Sequence, residues 1–100
     1  MATTKEYRDF VLDTLNILDN ITCKSMMGEY LLYYHGILFG GIYDDRLLVK
    51  IVPCNQKYGM QEVISYKNAK SMYLVHEIDN QEILKKIVLD TCKDLANQKL

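Results

Sequence analysis

The pattern of apolar and polar residues predicts a helix near each end of the chain. Thr3 and Glu6 have the spacing of a capping box, so the first helix is expected to begin near Thr4. Its apolar face comprises Tyr7, Phe10, Val11, Leu15 and Leu18. Asp79 or Asn80 is the predicted cap of the second helix. That helix has a similar stripe, formed by Ile83, Leu84, Ile87, Val88 and Leu95. Both stripes require a second layer to bury them.

Between the helices, short runs of β-branched and aromatic residues alternate with turn residues, which is typical of an antiparallel meander. The predicted strands are residues 21–26, 29–34, 37–43, 46–52 and 72–77. His35-Gly36 and Asp44-Asp45 are predicted to be tight turns. For the polar residues 54–71 we expect a short helix before an irregular connection. The predicted fold is α+β and two-layered, an antiparallel meander sheet with the N- and C-terminal helices packed on one face.

Two-residue turns would fix the strand register and divide the side chains of the meander between two faces. One predicted face is rich in tyrosine and carries Tyr30, Leu32, Tyr34, Ile37, Phe39, Tyr43, Arg46, Leu48 and Lys50. The other is almost wholly aliphatic, and we expect the helices to cover it. It consists of Leu31, Tyr33, Leu38, Gly40, Ile42, Leu47, Val49 and Ile51, with Glu29 at its end.

The tyrosine-rich face is the predicted binding surface, because exposed apolar and aromatic areas tend to mark interaction sites. The candidate partner-binding residues are Tyr30, Tyr34, Phe39, Tyr43, Arg46 and Lys50. Two structural explanations stay open: residues 54–71 fold over this face, or a second copy of the chain covers it. Single-stranded nucleic acid stacking on the rings is a further alternative.

Charge narrows the classes of partner. The formal net charge is -1 and the pI is about 6.1, so double-stranded DNA and anionic membranes are not expected. The expected partner is another protein or a second copy in a homodimer. The first residues lack the apolar segment of a signal peptide, and the three cysteines lack paired spacing. We therefore expect a cytoplasmic protein with reduced thiols and a single domain over residues 1–100.

Residues capable of chemistry are scattered and suggest no catalytic site. Cys23, Cys54 and Cys92 have no spacing that would pair them with His35 or His76 as a nucleophile and its base. The close pairs typical of structural zinc are missing. We expect no metal and no cofactor, and Cys54 is the one thiol worth testing for reactivity.

Two short motifs have structural explanations. Gly40-Gly41 lies inside a predicted strand and does not open a helix, so a bulge or a close backbone approach explains it better than a phosphate loop. Asp44-Asp45 is adjacent rather than interleaved as in a calcium loop, and a tight turn accounts for it.

Four motifs, in this order and spacing, resemble the TfoX (Sxy) N-terminal domain family. They are KSMMGEY at 24–30, YHG at 34–36, FGG at 39–41 and DDRLLVK at 44–50. The leading helix, Asp79-Asn80 and the closing helix extend the resemblance over nearly the whole chain, as in a small stand-alone member. The resemblance implies helices packed against an antiparallel sheet. It also implies a link to regulators that switch on natural-competence genes together with a cyclic-AMP-responsive activator.

The predicted function is therefore a non-enzymatic regulatory or adaptor domain that acts through protein–protein contacts. A role related to transcription or competence is what the resemblance adds. The family's best-known members carry a separate helical C-terminal domain, which is not expected within these 100 residues. The alternative is a module that binds a small molecule or single-stranded nucleic acid on the aromatic sheet face.

Overall fold

A computed structural model describes residues 3–64, 70–76 and 78–98. The helices are α1 (Lys5–Leu15), a 3-10 helix (Pro53–Tyr58) and α2 (Gln81–Gln98). The strands are β1 (Ile21–Met26), β2 (Glu29–Tyr34), β3 (Ile37–Ile42), β4 (Leu47–Val49), β5 (Gln61–Ile64) and β6 (Ser71–Leu74). The predicted α+β fold is confirmed. Glu77, at the end of the last predicted strand, and residues 65–69 lie outside the described residues.

The six strands form one antiparallel sheet in the order β1-β2-β3-β4-β6-β5. The short helix expected after residue 53 is present as the 3-10 helix, but β5 was missed. Gln61, Glu62 and Ile64 are all exposed on this edge strand. Because an exposed edge strand needs little alternation of apolar residues, the sequence signal for β5 is weak. The two edges of the sheet are β1 and β5.

Short polar side chains cap both long helices. Thr4 caps α1, accepting a hydrogen bond from the Tyr7 N–H at 3.2 Å, so the predicted start is confirmed but the cap is not Thr3. The Thr3 hydroxyl instead donates to Glu29 at 2.7 Å and anchors the beginning of α1 to the sheet. Asn80 caps α2 by accepting a hydrogen bond from the Ile83 N–H at 3.3 Å. Asn80 was one of the two predicted caps.

Three two-residue turns join the first four strands. Both turn residues have positive φ in Met27-Gly28 (51° and 87°), His35-Gly36 (49° and 78°) and Asp44-Asp45 (53° and 56°). This is the pattern of type I′ turns, whose twist matches that of the flanking strands. The two predicted tight turns are confirmed, and Met27-Gly28 forms a third.

Met27 is an unfavourable residue for its turn. Its φ of 51° lies in the left-handed region, where Asn is tolerated far better than Met. Its side chain is 98% exposed, so it gains almost nothing from packing. We expect Met27→Asn to stabilise the domain by about 0.5–1 kcal/mol, measured by urea denaturation. Met27→Leu keeps the backbone cost and should leave stability unchanged; an equal gain from leucine would contradict this explanation.

A β-bulge in β3 overturns the predicted division of the sheet into faces. Tyr33 pairs with Leu38 but Leu32 pairs with Gly40, so Phe39 is the extra residue. Up to the bulge the β2–β3 register is the predicted one, and beyond it every β2–β3 pairing shifts by one residue, whereas β3 and β4 pair as predicted. Such a shift moves side chains to the opposite face. The prediction that the aliphatic set lies under the helices is therefore right for Ile42, Leu47 and Val49 and wrong for Leu31, Tyr33 and Leu38, although the helices do pack on one face.

The face that the helices cover combines residues of both predicted faces. Before the bulge it has the residues of the predicted tyrosine-rich face, and after the bulge it has those of the predicted aliphatic face. Its fully buried sheet residues are Leu32, Phe39, Ile42, Leu47 and Val49. From the helices, Val11, Leu15, Leu84, Ile87 and Val88 complete the core. Tyr30, Tyr34 and Ile37 pack against this core while staying partly exposed.

Gly40 and Gly41 are required by close approach of the backbone, as one of the sequence explanations proposed. A Cβ atom on Gly40 would overlap the carbonyl oxygen of Leu48 on the neighbouring strand. A Cβ on Gly41 would lie 2.9 Å from the Tyr43 ring. The bulge and the glycines therefore belong to one local arrangement.

Candidate functional site

The bulge separates the six predicted partner-binding residues into two groups. Tyr30, Tyr34 and Phe39 lie on the helix-covered face, where Phe39 has no exposed surface. Tyr43, Arg46 and Lys50 follow the bulge and lie on the opposite face by the register of β3 and β4. The structure thus does not bring these six residues together on one surface.

Burial takes two of the four predicted rings out of the row on which single-stranded nucleic acid would stack. Stacking requires ring faces that are open to the bases. Phe39 is fully buried, and Tyr43 is only 7% exposed because its ring packs over Gly41. The expected row of stacking rings on the sheet is therefore not formed.

The free edge of β1 borders an open cleft that sequence reasoning missed. The cleft has a volume of about 410 Å³ and lies between α1 and the sheet. We call it the edge cleft; it is lined by Arg8, Asp9, Leu12, Cys23, Ser25 and Tyr30. Only Tyr30 among these was a predicted site residue. The three from α1 sit at positions 8, 9 and 12, beside the buried stripe of that helix.

The register of β1 shows which of its backbone groups are free. Met26 and Glu29 flank a two-residue turn, so they form a hydrogen-bonded pair, and alternate residues along β1 share that role. Asn20 and His35, six residues further from the turn on each strand, fit this pattern, because the His35 N–H donates to the Asn20 oxygen at 3.1 Å. The N–H and C=O groups of the intervening Cys23 and Ser25 consequently point away from the sheet.

Arg8 supplies the cation of the edge cleft. Its guanidinium carbon lies 5.2 Å from the centre of the Tyr30 ring, a cation–π arrangement. Its Nη2 and Nε both reach one oxygen of Asp9, at 2.9 and 3.0 Å. The Arg8 side chain is 29% exposed and that of Asp9 is 66% exposed. Since Asp9 occupies only two of the five guanidinium N–H groups, Arg8 can donate to a further acceptor.

The cysteines are not activated as nucleophiles. Burial raises the pKa of the Cys23 thiol, opposed by the nearby Arg8 charge. Cys54, the thiol chosen for testing, donates to Asp94 at 3.1 Å, and that hydrogen bond raises its pKa. Burial raises the pKa of Cys92 to about 11. Each shift reduces the thiolate fraction that a nucleophile needs.

His35 serves a structural purpose in its turn. Its Nδ1 lies 3.1 Å from the Asn20 side-chain nitrogen, and its Nε2 lies 3.5 Å from Asp19. The Tyr34 ring contacts it edge-on at 4.4 Å between centroids. These contacts hold the β2–β3 turn against the end of β1, in agreement with its prediction as a turn residue.

A polar cluster fastens the 3-10 helix to α2. The Tyr58 hydroxyl donates to Asp90 at 2.6 Å, and Lys57 lies 3.1 Å from the same carboxylate oxygen. Asn55 is fully buried and donates to Thr91 at 2.9 Å and to the Lys50 oxygen at 2.7 Å. These bonds explain why a polar stretch packs here without an apolar stripe.

The same cluster makes stability depend on pH. The Tyr58 hydrogen bond lowers the pKa of Asp90 from its ordinary 3.8, so this stabilisation is present above that value and is lost as pH falls through the lower native pKa. Burial, then Asp90, raises the pKa of Tyr58 from 10.0 to about 12. That contribution is present below 10.0 and is lost as pH rises toward 12.

We expect Tyr58→Phe to destabilise the domain by about 1 kcal/mol near neutral pH, because a charge-assisted hydrogen bond is lost at a partly exposed site. Denaturation at neutral and acid pH measures the effect, which should shrink once Asp90 is protonated. Tyr33→Phe is the matched control, since the half-buried Tyr33 makes no hydrogen bond through its hydroxyl in the described part of the chain. A pH-independent loss would contradict the role of Asp90.

The described residues also bear on metal sites and membrane spans. Across residues 3–64, 70–76 and 78–98, no group of three or more His, Cys, Asp or Glu is placed to hold a metal ion. Within the same ranges, no helix has the length and apolar character to cross a membrane.

Comparison with protein families decides the relationship that the motifs suggested. The family described as the TfoX N-terminal domain matches residues 13–88 of the 100-residue chain. The chain belongs to this family. The match runs from within α1 to within α2 and so includes β1 and three of the six residues that line the edge cleft, Cys23, Ser25 and Tyr30. No curated protein matches the chain.

Proposed function

We propose that this TfoX N-terminal domain is a non-enzymatic regulatory or adaptor domain that binds another protein at the edge cleft. The observation that carries the proposal is an exposed strand edge beside a cleft that contains a tyrosine ring and an arginine. Unpaired strand edges are sites where proteins add further chains, and Tyr and Arg are enriched at the centres of protein interfaces. The raised thiol pKa values support a function other than nucleophilic catalysis.

The family resemblance contributes the class of process to the proposal. Because it points to regulators of natural competence, proteins that control transcription are the first class of partner to examine. The partner is expected to be a protein and not the nucleic acid itself, in keeping with the net charge of -1.

Two arginines on different faces provide the test. Arg8 lines the edge cleft, whereas Arg46 lies beyond the bulge on the sheet face opposite the helices. We expect Arg8→Glu to reduce capture of host proteins by the tagged chain at least about tenfold, and Arg46→Glu to leave capture unchanged. Quantitative mass spectrometry of crosslinked complexes measures both, with thermal melting as the control for folding.

The opposite pattern would place the binding surface around Tyr43, Arg46 and Lys50, the half of the predicted site that lies on the other face. Capture that is unaffected by either change would contradict protein binding through both surfaces.

A further inference from the structure

The edge cleft combines an unpaired strand edge with two nearby cations, Arg8 and Lys24. We propose that the edge cleft binds an extended acidic peptide segment, which adds to β1 as a seventh strand of the sheet and places neighbouring carboxylates against Arg8 and Lys24. This inference rests on the proposed function that the domain binds another protein. It adds the conformation and the charge of the bound segment.

The backbone of β1 offers the hydrogen bonds for such an addition. Cys23 and Ser25 direct their N–H and C=O groups away from β2, as the β1–β2 register requires. These groups are spaced like those of any sheet edge, so an extended chain can pair with them along the strand. Ser25 is exposed and Cys23 is partly exposed, which leaves room for the added chain.

Side chains on both faces of β1 select acidic residues. Cys23 and Ser25 face the edge cleft with Arg8, whereas Lys24 alternates to the other face and is exposed. Lys24 makes no ion pair within the described part of the chain. Because successive side chains of an added strand alternate in the same way, two neighbouring acidic residues would reach the two cations.

A second copy of the chain fits this edge less well. Antiparallel pairing of β1 with another β1 would bring the two Lys24 side chains close together, and like charges across strands are destabilising. Lysine on an edge strand is a common device against such self-pairing. An acidic partner turns this same lysine into an attractive contact.

Substitutions at Asp9 and Arg8 are expected to change peptide affinity in opposite directions. The exposed carboxylate of Asp9 already binds Arg8 and would compete with an incoming carboxylate. Asp9→Asn should therefore tighten binding of an acidic peptide several-fold, while Arg8→Gln should weaken it about tenfold. A purely structural role for the Arg8–Asp9 pair would not produce opposite effects.

The experiment uses a random decapeptide library displayed on phage and selected against the full chain. We expect enriched peptides to contain two adjacent acidic residues within a β-branched or aromatic context. Fluorescence anisotropy of an enriched synthetic peptide then compares wild type with Arg8→Gln and Asp9→Asn. Hydrogen exchange at the Cys23 and Ser25 amides should slow when the peptide binds.

Ser25 supplies a matched pair of backbone variants. Ser25→Pro removes an outward N–H that the sheet does not use, so the domain should fold while peptide affinity drops about tenfold. Ser25→Ala keeps the N–H and should bind like wild type. Thermal melting checks folding, and Arg8→Gln provides the test if the proline variant does not fold.

Failure of this inference can be told from failure of the proposed function. No enriched peptide, no acidic preference, or equal binding by Ser25→Pro and Ser25→Ala would overturn strand addition. If a host protein is nonetheless captured in an Arg8-dependent way, protein binding at the edge cleft stands and only its extended acidic form is wrong. If neither a peptide nor a host protein binds, both proposals fall.

Discussion

Gly40→Ala is expected to destabilise the domain by about 3 kcal/mol, which for a domain of this size lowers Tm by roughly 15 °C. The added Cβ would overlap the carbonyl oxygen of Leu48 and approach the Val49 Cα to 2.9 Å. Both atoms belong to the backbone of a central strand, so neither can rotate away. Relief would require β3 and β4 to separate at their first pairing. Differential scanning calorimetry measures the loss.

Gly36→Ala is the control that measures the conformational cost of replacing a glycine where the added Cβ meets no neighbouring atom. Gly36 has a φ of 78° in a turn, but a Cβ there would meet no atom within 4 Å. The cost should be the conformational one alone, about 1 kcal/mol. If both variants lose the same stability, close approach of β4 is not the reason for Gly40.

Phe39→Ala is expected to cost about 3–5 kcal/mol, because a fully buried aromatic side chain leaves a cavity in the core. The neighbouring Leu38 is partly exposed and lies outside the core cluster. Leu38→Ala should therefore cost only about 1–2 kcal/mol. Urea denaturation of both variants, with unchanged m-values, measures the difference.

The same pair tests which face of the sheet the helices cover. If the helices covered the predicted aliphatic set, Leu38 would be buried and Phe39 exposed, and the two costs would be reversed. A larger loss from Leu38→Ala would therefore show that the helices pack on the face that carries Leu38, and would restore the predicted tyrosine-rich face.

The features that could be predicted from the sequence are those that local residues specify. The capped helices and the turns at His35-Gly36 and Asp44-Asp45 follow from side-chain preferences within a few residues. The bulge does not, because it depends on how β3 pairs with β2 and on which side chains of β3 the helices bury. The sequence did indicate that Gly40-Gly41 needed either a bulge or a close backbone approach. It did not indicate that the side chains after the bulge would move to the opposite face of the sheet.

The candidate site depended on that missing information. Assigning six residues to one face assumed regular alternation, which one extra residue is enough to break. The edge cleft had no local signal, since Arg8 and Asp9 read as ordinary exposed helix residues. Its existence follows from the placement of α1 beside β1, and strand order is what leaves β1 at the edge.

The central claim is that a partner protein docks at the free edge of β1, and site-specific photocrosslinking in the native host tests it most directly. A photoreactive amino acid replaces Ser25 on β1 or, as the matched control, the exposed Gln61 on the opposite edge strand β5. We predict a discrete crosslinked protein from position 25 that is absent from position 61 and lost when Arg8→Glu is added. No crosslink at position 25, or the same product from both edges, would contradict the account.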